Sequence, residues 1–97
     1  MRARLHRGAR QELAEAALYL DEARTGYGDR FVVAFAKARD FLLQYPNSGR
    51  LAGDGTRRMA LTGFRYNVVY VVRDDVLFIV AIAHYRRRPG YWRSRLR

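Results

Sequence analysis

No cysteine occurs anywhere in the 97 residues, which excludes disulfide staples and thiolate metal sites and fits a reducing compartment. Lysine is almost missing as well: Lys37 is the only one among 19 basic residues, and the rest are arginine. No apolar run reaches the roughly 18 to 20 residues of a membrane span. The segment Met1-Arg2-Ala3-Arg4-Leu5-His6-Arg7 lacks the apolar stretch of a signal peptide. A cytoplasmic protein without membrane association is the expectation. The two histidines, His6 and His84, are isolated from each other and have no acid pair beside them, so neither a metal site nor a cofactor is expected. Acidic residues are absent from residues 76–97, whereas Glu12, Glu15, Asp21, Glu22, Asp29 and Asp40 lie in the first half.

What remains is enough to fold. A hydrophobic content of 49% argues against disorder, and the length predicts a single domain, residues 1–97, with a small core. The formal charge of +10 points to an anionic partner, either nucleic acid or an acidic protein segment. The distribution of acids predicts that the positive field sits mainly on the carboxyl-terminal side. Arginine suits forked contacts to phosphate or carboxylate, although a GC-rich genome gives the same preference.

The periodicity predicts a short first strand over residues 2–7 and an amphipathic helix from Ala9 to Ala23. Its apolar positions are Leu13, Ala16, Ala17 and Leu20, with Arg10, Glu12, Glu15 and Asp21 on the other side. Thr25-Gly26-Tyr27-Gly28-Asp29 breaks that helix. A second helix, Asp29 to about Gln44, carries a stripe of Phe31, Phe35, Ala38 and Leu42, widened by Ala34, Phe41 and Tyr45, and stops at Pro46-Asn47-Ser48-Gly49. Residues 46–56 read as a loop, and Arg57 to Gly63 as a strand. Phe64 to Arg73 and Val76 to Ala83, rich in β-branched and aromatic residues and separated by Asp74-Asp75, form an antiparallel hairpin. The second run is apolar at every position, so both of its faces must be covered. The fold class is α+β, with a helical hairpin on one face of a mainly antiparallel sheet of about four strands. The final strand runs into His84-Tyr85-Arg86-Arg87-Arg88-Pro89-Gly90-Tyr91-Trp92, a polar edge on a rigid layer.

The order of elements, the Arg58-Met59-Ala60-Leu61 strand, the Phe64-Arg65-Tyr66-Asn67-Val68-Val69-Tyr70 segment and the Ile82-to-Trp92 motif resemble the RelE/ParE superfamily of bacterial toxins, over nearly the whole chain. The resemblance implies the toxin of a type II toxin–antitoxin pair, neutralised by a co-expressed antitoxin that wraps it. RelE-like members cut messenger RNA on the ribosome, and ParE-like members are described as inhibitors of DNA gyrase. The helical hairpin, with its strongly apolar second helix, looks more like ParE.

The two branches make different demands. Cleaving RNA through its 2′-hydroxyl needs a proton acceptor, a proton donor and cations on the pentacovalent phosphate. In that reading His84 and Tyr91 are the catalytic candidates, Tyr91 only where neighbouring arginines favour its phenolate. Arg57, Arg58, Arg65, Arg86, Arg87, Arg88 and Trp92 are the candidates for contact with a target or a phosphate. Ribosome-dependent RelE-like enzymes use lysines in and before the central strands, where this chain has Arg57 and Arg58. Each candidate also has a purely structural reading: His84 ending a strand with its ring bonded to a backbone carbonyl, Tyr91 and Trp92 folding back over the sheet, Tyr66 and Tyr70 in the core, and Arg86 to Arg88 as a solvated face or an antitoxin strip.

Overall fold

The two helices lie on one face of the sheet because their small and aromatic residues fall on one side. In the computed structural model, which describes residues 1–97, β1 (Arg2–Leu5) leads into α1 (Arg7–Ala23) and α2 (Tyr27–Gln44). Four strands follow: β2 (Arg50–Leu51), β3 (Arg57–Leu61), β4 (Tyr66–Arg73) and β5 (Val76–His84). A short 3-10 helix, Arg93–Leu96, ends the chain. The sheet order is β1-β5-β4-β3-β2, antiparallel except for the parallel pair β1 and β5. No helix is long and apolar enough to cross a membrane.

The α+β class and the helical hairpin on one face agree with the reading from periodicity, and the number of strands is five. The extra strand, β2, comes from the segment read as a loop. Two residues paired with Arg57 and Arg58 are too few to leave a periodic signal. Gly28 does not end a helix. Gly26, at φ 86°, precedes α2, and Gly28 lies inside its first turn, where a Cβ would collide with the Ala17 carbonyl oxygen. The two helices therefore touch backbone to backbone there. Asp21 Oδ1 accepts hydrogen bonds from the Gly26 and Gly28 N–H groups at 2.9 and 3.2 Å, so this acid caps α2.

The main core lies between helices and sheet. Phe31, Phe35 and Leu42 of α2 meet Val68 and Tyr70 of β4 and Leu77, Ile79 and Ile82 of β5. Phe41 and Tyr45, expected to widen the stripe, are instead exposed and pack on each other at 5.0 Å. Tyr70 is fully buried, donates to the Pro46 carbonyl at 2.7 Å and accepts from the Gly49 N–H at 2.9 Å. It thus anchors the β2 loop to the core. Tyr70→Phe leaves both backbone groups without that partner. A loss of about 1–3 kcal/mol in urea unfolding is expected, and a loss below about 0.5 kcal/mol would show that water replaces the hydroxyl.

A second, smaller core covers the opposite face: Val69 of β4 and Val80, Ala81 and Ala83 of β5, closed by Trp92. Strand β5 is thus covered on both sides, as its unbroken apolar run requires. The register of β4 and β5 shifts between Val69 and Tyr70, where Val69 pairs with Ala81 and Tyr70 with Ile79. Val80 is the extra residue of a β-bulge, so Val80 and Ala81 both join the second core. Asp74 and Asp75, at φ 51° and 60°, make the two-residue turn that such a hairpin favours.

Candidate functional site

At one end of the β4–β5 hairpin the register brings Tyr66 opposite His84, and their rings meet edge to face at 4.9 Å. His84 Nδ1 accepts from the Arg86 N–H at 3.0 Å, and its carbonyl accepts from the Arg87 N–H at 3.0 Å. The ring is therefore held by a backbone donor, not by the carbonyl expected from sequence. That bond leaves Nε2 as the nitrogen that carries the proton in the neutral ring. Two concavities meet here. One, of about 540 Å³, is lined by Tyr19, Tyr27, Arg65, His84 and Arg86 among others. Its neighbour, about 280 Å³, is lined by Glu12, Glu15, Tyr19, His84 and Arg87. Arg65 sits in the turn before β4 at φ 59°, and its carbonyl accepts from the Tyr85 N–H at 3.0 Å. Arg88 is exposed just beyond.

Four of the nine candidates thus gather around this end: Arg65, His84, Arg86 and Arg87. Arg57 and Arg58 lie elsewhere, opposite Tyr70 and Val69 in the middle of β4, and being adjacent in a strand they face opposite ways. Arg57 donates to the Asn47 and Gly49 carbonyls at 3.2 and 2.9 Å. Arg58 lies 4.9 Å over the Trp92 ring, its Nε buried without a partner. Trp92 is only 2% exposed and presents no face to a target. Its indole N–H donates to Asp54 Oδ2 at 3.2 Å.

Sequence reasoning missed the residue on which this end depends. Strand β1 pairs with β5 only as far as Ile79, leaving the rest of that edge open. Glu12 of α1, expected to face solvent, fills the gap. Its Oε1 accepts from the Ile82 N–H and from Arg95 Nη1, both at 3.0 Å. Its Oε2 accepts from the Tyr91 hydroxyl at 2.8 Å and from Arg95 Nη2 at 3.0 Å. Arg95 Nη1 also donates to the Val80 carbonyl at 3.1 Å, the group displaced by the bulge. The side chains are 12% and 19% exposed. The signal was present: Glu12 lies three residues after Ala9 and four before Ala16, both buried, hence on the inner stripe. Asp54 was missed too, and nothing in a Gly-rich loop marked it.

Burial, then the hydrogen bond to Glu12 and that residue's charge, push the Tyr91 hydroxyl well above its ordinary value. Arg87, 3.8 Å over the ring, and Arg95 act in the opposite direction without prevailing. The condition that would let Tyr91 take a proton, a phenolate favoured by arginines, is therefore not met. Burial would raise the Asp54 carboxyl, but hydrogen bonds from Thr56 and Trp92 and the charge of Arg58 outweigh it and hold it below its ordinary value. A depressed folded value means that this contribution is full above the unfolded value, near 3.8, and is lost as pH falls through the folded one. The stability advantage of the wild type over Asp54→Asn should be constant from pH 7 to about 5 and shrink below about 4. An advantage unchanged at pH 3 would contradict it.

The sequence as a whole decides the family. A family model described as "ParE toxin of type II toxin-antitoxin system, parDE" matches residues 3–89. The chain belongs to the ParE toxin family. Among curated proteins it is similar to Toxin ParE2 of Mycobacterium tuberculosis, in strains CDC 1551 / Oshkosh and H37Rv. Identity to each is 32% over 90 residues, covering 92% of this chain and 86% of the relative. As a ParE-family toxin it implies an antitoxin partner. The match to the family model ends at Pro89, so Tyr91 and Arg95, which hold the tail against Glu12 of this ParE-family chain, lie beyond it.

Proposed function

We propose that this chain arrests growth in the cytoplasm by inhibiting DNA gyrase and that a cognate antitoxin holds it inactive. Its working surface is the hairpin end, with Arg65, His84 and Arg86 to Arg88, and it works by binding and not by cutting RNA. Arg57, Arg58 and Trp92 serve the fold. Membership of the ParE family supports the choice of target. The observation that carries the mechanism is the Tyr91 hydroxyl, buried on the Glu12 carboxylate: of the two groups needed for proton transfer, only His84 is left. Guanidinium groups around a partly exposed histidine suit recognition of a carboxylate-rich or phosphate-bearing surface.

A supercoiling assay with purified gyrase tests this. Inhibition is expected at micromolar toxin, and Arg86→Ala/Arg87→Ala/Arg88→Ala should raise the half-inhibitory concentration at least ~10-fold, about 1.4 kcal/mol. Absence of inhibition by the wild type removes the proposal. New cuts in translated messages after induction would favour the RelE-like ribonuclease acting on ribosome-bound mRNA.

A further inference from the structure

A second cationic site lies on the amino-terminal side, where the distribution of acids predicted little positive field. A cleft of about 760 Å³ opens between the edge strand β1, the first turns of α1 and the middle of α2. It is lined by Arg4, Arg7, Arg10 and Arg39, with Leu13 and Phe78 among its apolar walls and no carboxylate. The acids of α1 do not line it: Glu12 and Glu15 line the concavity at the hairpin end instead. Three elements supply the arginines, and the chain gives them little to do. Arg4 and Arg7 make no ion pair, Arg10 reaches only the Leu5 carbonyl at 3.4 Å, and Arg39 bonds its exposed neighbour Asp40 at 3.0 Å. Burial first, and then the charges of Arg95 and Arg7, opposed by that of Glu12, hold His6 of the same cleft below its ordinary value.

We infer that this cleft binds a phosphate ester carrying a nucleobase, the guanidinium groups of Arg4, Arg7, Arg10 and Arg39 taking the phosphates and the apolar wall taking the base. Four guanidinium groups around one cleft call for several negative charges within a short span. A phosphodiester or polyphosphate supplies them on adjacent groups. The forked geometry matches phosphate oxygens. Phe78, whose ring also meets His6 at 6.2 Å, offers the kind of aromatic surface on which bases rest, beside a positive groove. The volume is that of a small-molecule site. None of these residues belongs to the hairpin end, so the inference stands or falls separately from the gyrase reading.

Fluorescence anisotropy of the full chain with a labelled single-stranded oligodeoxynucleotide tests it. Arg4→Ala/Arg7→Ala should weaken binding roughly tenfold and flatten the salt dependence by about 1.4 in log–log slope. Arg86→Ala/Arg88→Ala removes the same charge and should weaken binding less than about threefold. Thermal melting of each variant checks that the fold is kept. Displacement by ATP identifies a free nucleotide as a ligand, and displacement only by unlabelled strand identifies the polymer; both support the site. Equal weakening by the two double variants, no binding of the oligonucleotide, or stronger competition by polyglutamate than by unlabelled strand overturns it.

Discussion

Glu12→Ala should destabilise the protein by about 3–5 kcal/mol, because it removes the partner of a buried charge. The carboxylate accepts four hydrogen bonds, from Ile82, Tyr91 and twice from Arg95. Alanine leaves a largely buried guanidinium with only the Val80 carbonyl, a phenol without an acceptor and a strand N–H without a partner. Domains of this kind hold only about 5–15 kcal/mol in total, so the variant sits near the threshold of folding at 37 °C. Glu12→Gln keeps the shape and one acceptor and should lose about 1–3 kcal/mol. Combining Glu12→Gln with Arg95→Met should cost less than the sum of the single changes, because the second change removes the uncompensated charge. Urea unfolding of the four proteins gives the coupling, and strictly additive losses would mean that the clasp contributes no energy of its own.

Trp92→Ala is expected to cost a further, separate 3–5 kcal/mol, about the usual loss for a large aromatic side chain removed from a core. The indole closes the smaller core over Val69, Val80, Ala81 and Ala83, stacks under Arg58 and donates to Asp54. Its removal opens one face of β5 to water. It also leaves the Arg58 guanidinium, whose Nε already lacks a partner, without its aromatic neighbour. The consequence reaches the working surface, because Arg86 to Arg88 form the link between β5 and this anchor. Proteolysis should therefore cleave the tail of Trp92→Ala after Arg86 to Arg88 faster than that of the wild type. A melting temperature within about 2 °C of the wild type would contradict the anchor.

Much of this architecture was legible in the residues themselves. The apolar stripe of Phe31, Phe35 and Leu42 and the alternation of Tyr66, Val68 and Tyr70 against Val69 and Val71 follow the two side-chain periods. The unbroken run of β5 demanded two covers, and both exist. What escaped had physical reasons. An acid on a helix is read outward by default, and Glu12 is inside because the strand edge beyond Ile79 lacks a pairing strand. The bulge at Val80 breaks no sequence pattern, since valine and alanine are apolar on either face. Net charge along the chain did not reveal the second cluster of arginines, since α1 turns Glu12 and Glu15 toward the hairpin end and Arg7 and Arg10 toward the cleft beside β1. The divergence of Arg57 and Arg58, by contrast, could have been read directly, because neighbours in a strand point apart.

The most direct test is growth arrest on induction of Tyr91→Phe, with its thermal stability measured in parallel. Phenylalanine keeps the ring under Arg87 and removes only the hydroxyl, so a toxin that works by binding should arrest growth as the wild type does, with a stability loss of about 0.5–1.5 kcal/mol. Toxicity reduced by about 10²-fold or more in a folded variant, the loss expected for a missing acid or base, would contradict the central claim that this tail holds a binding surface and performs no proton transfer.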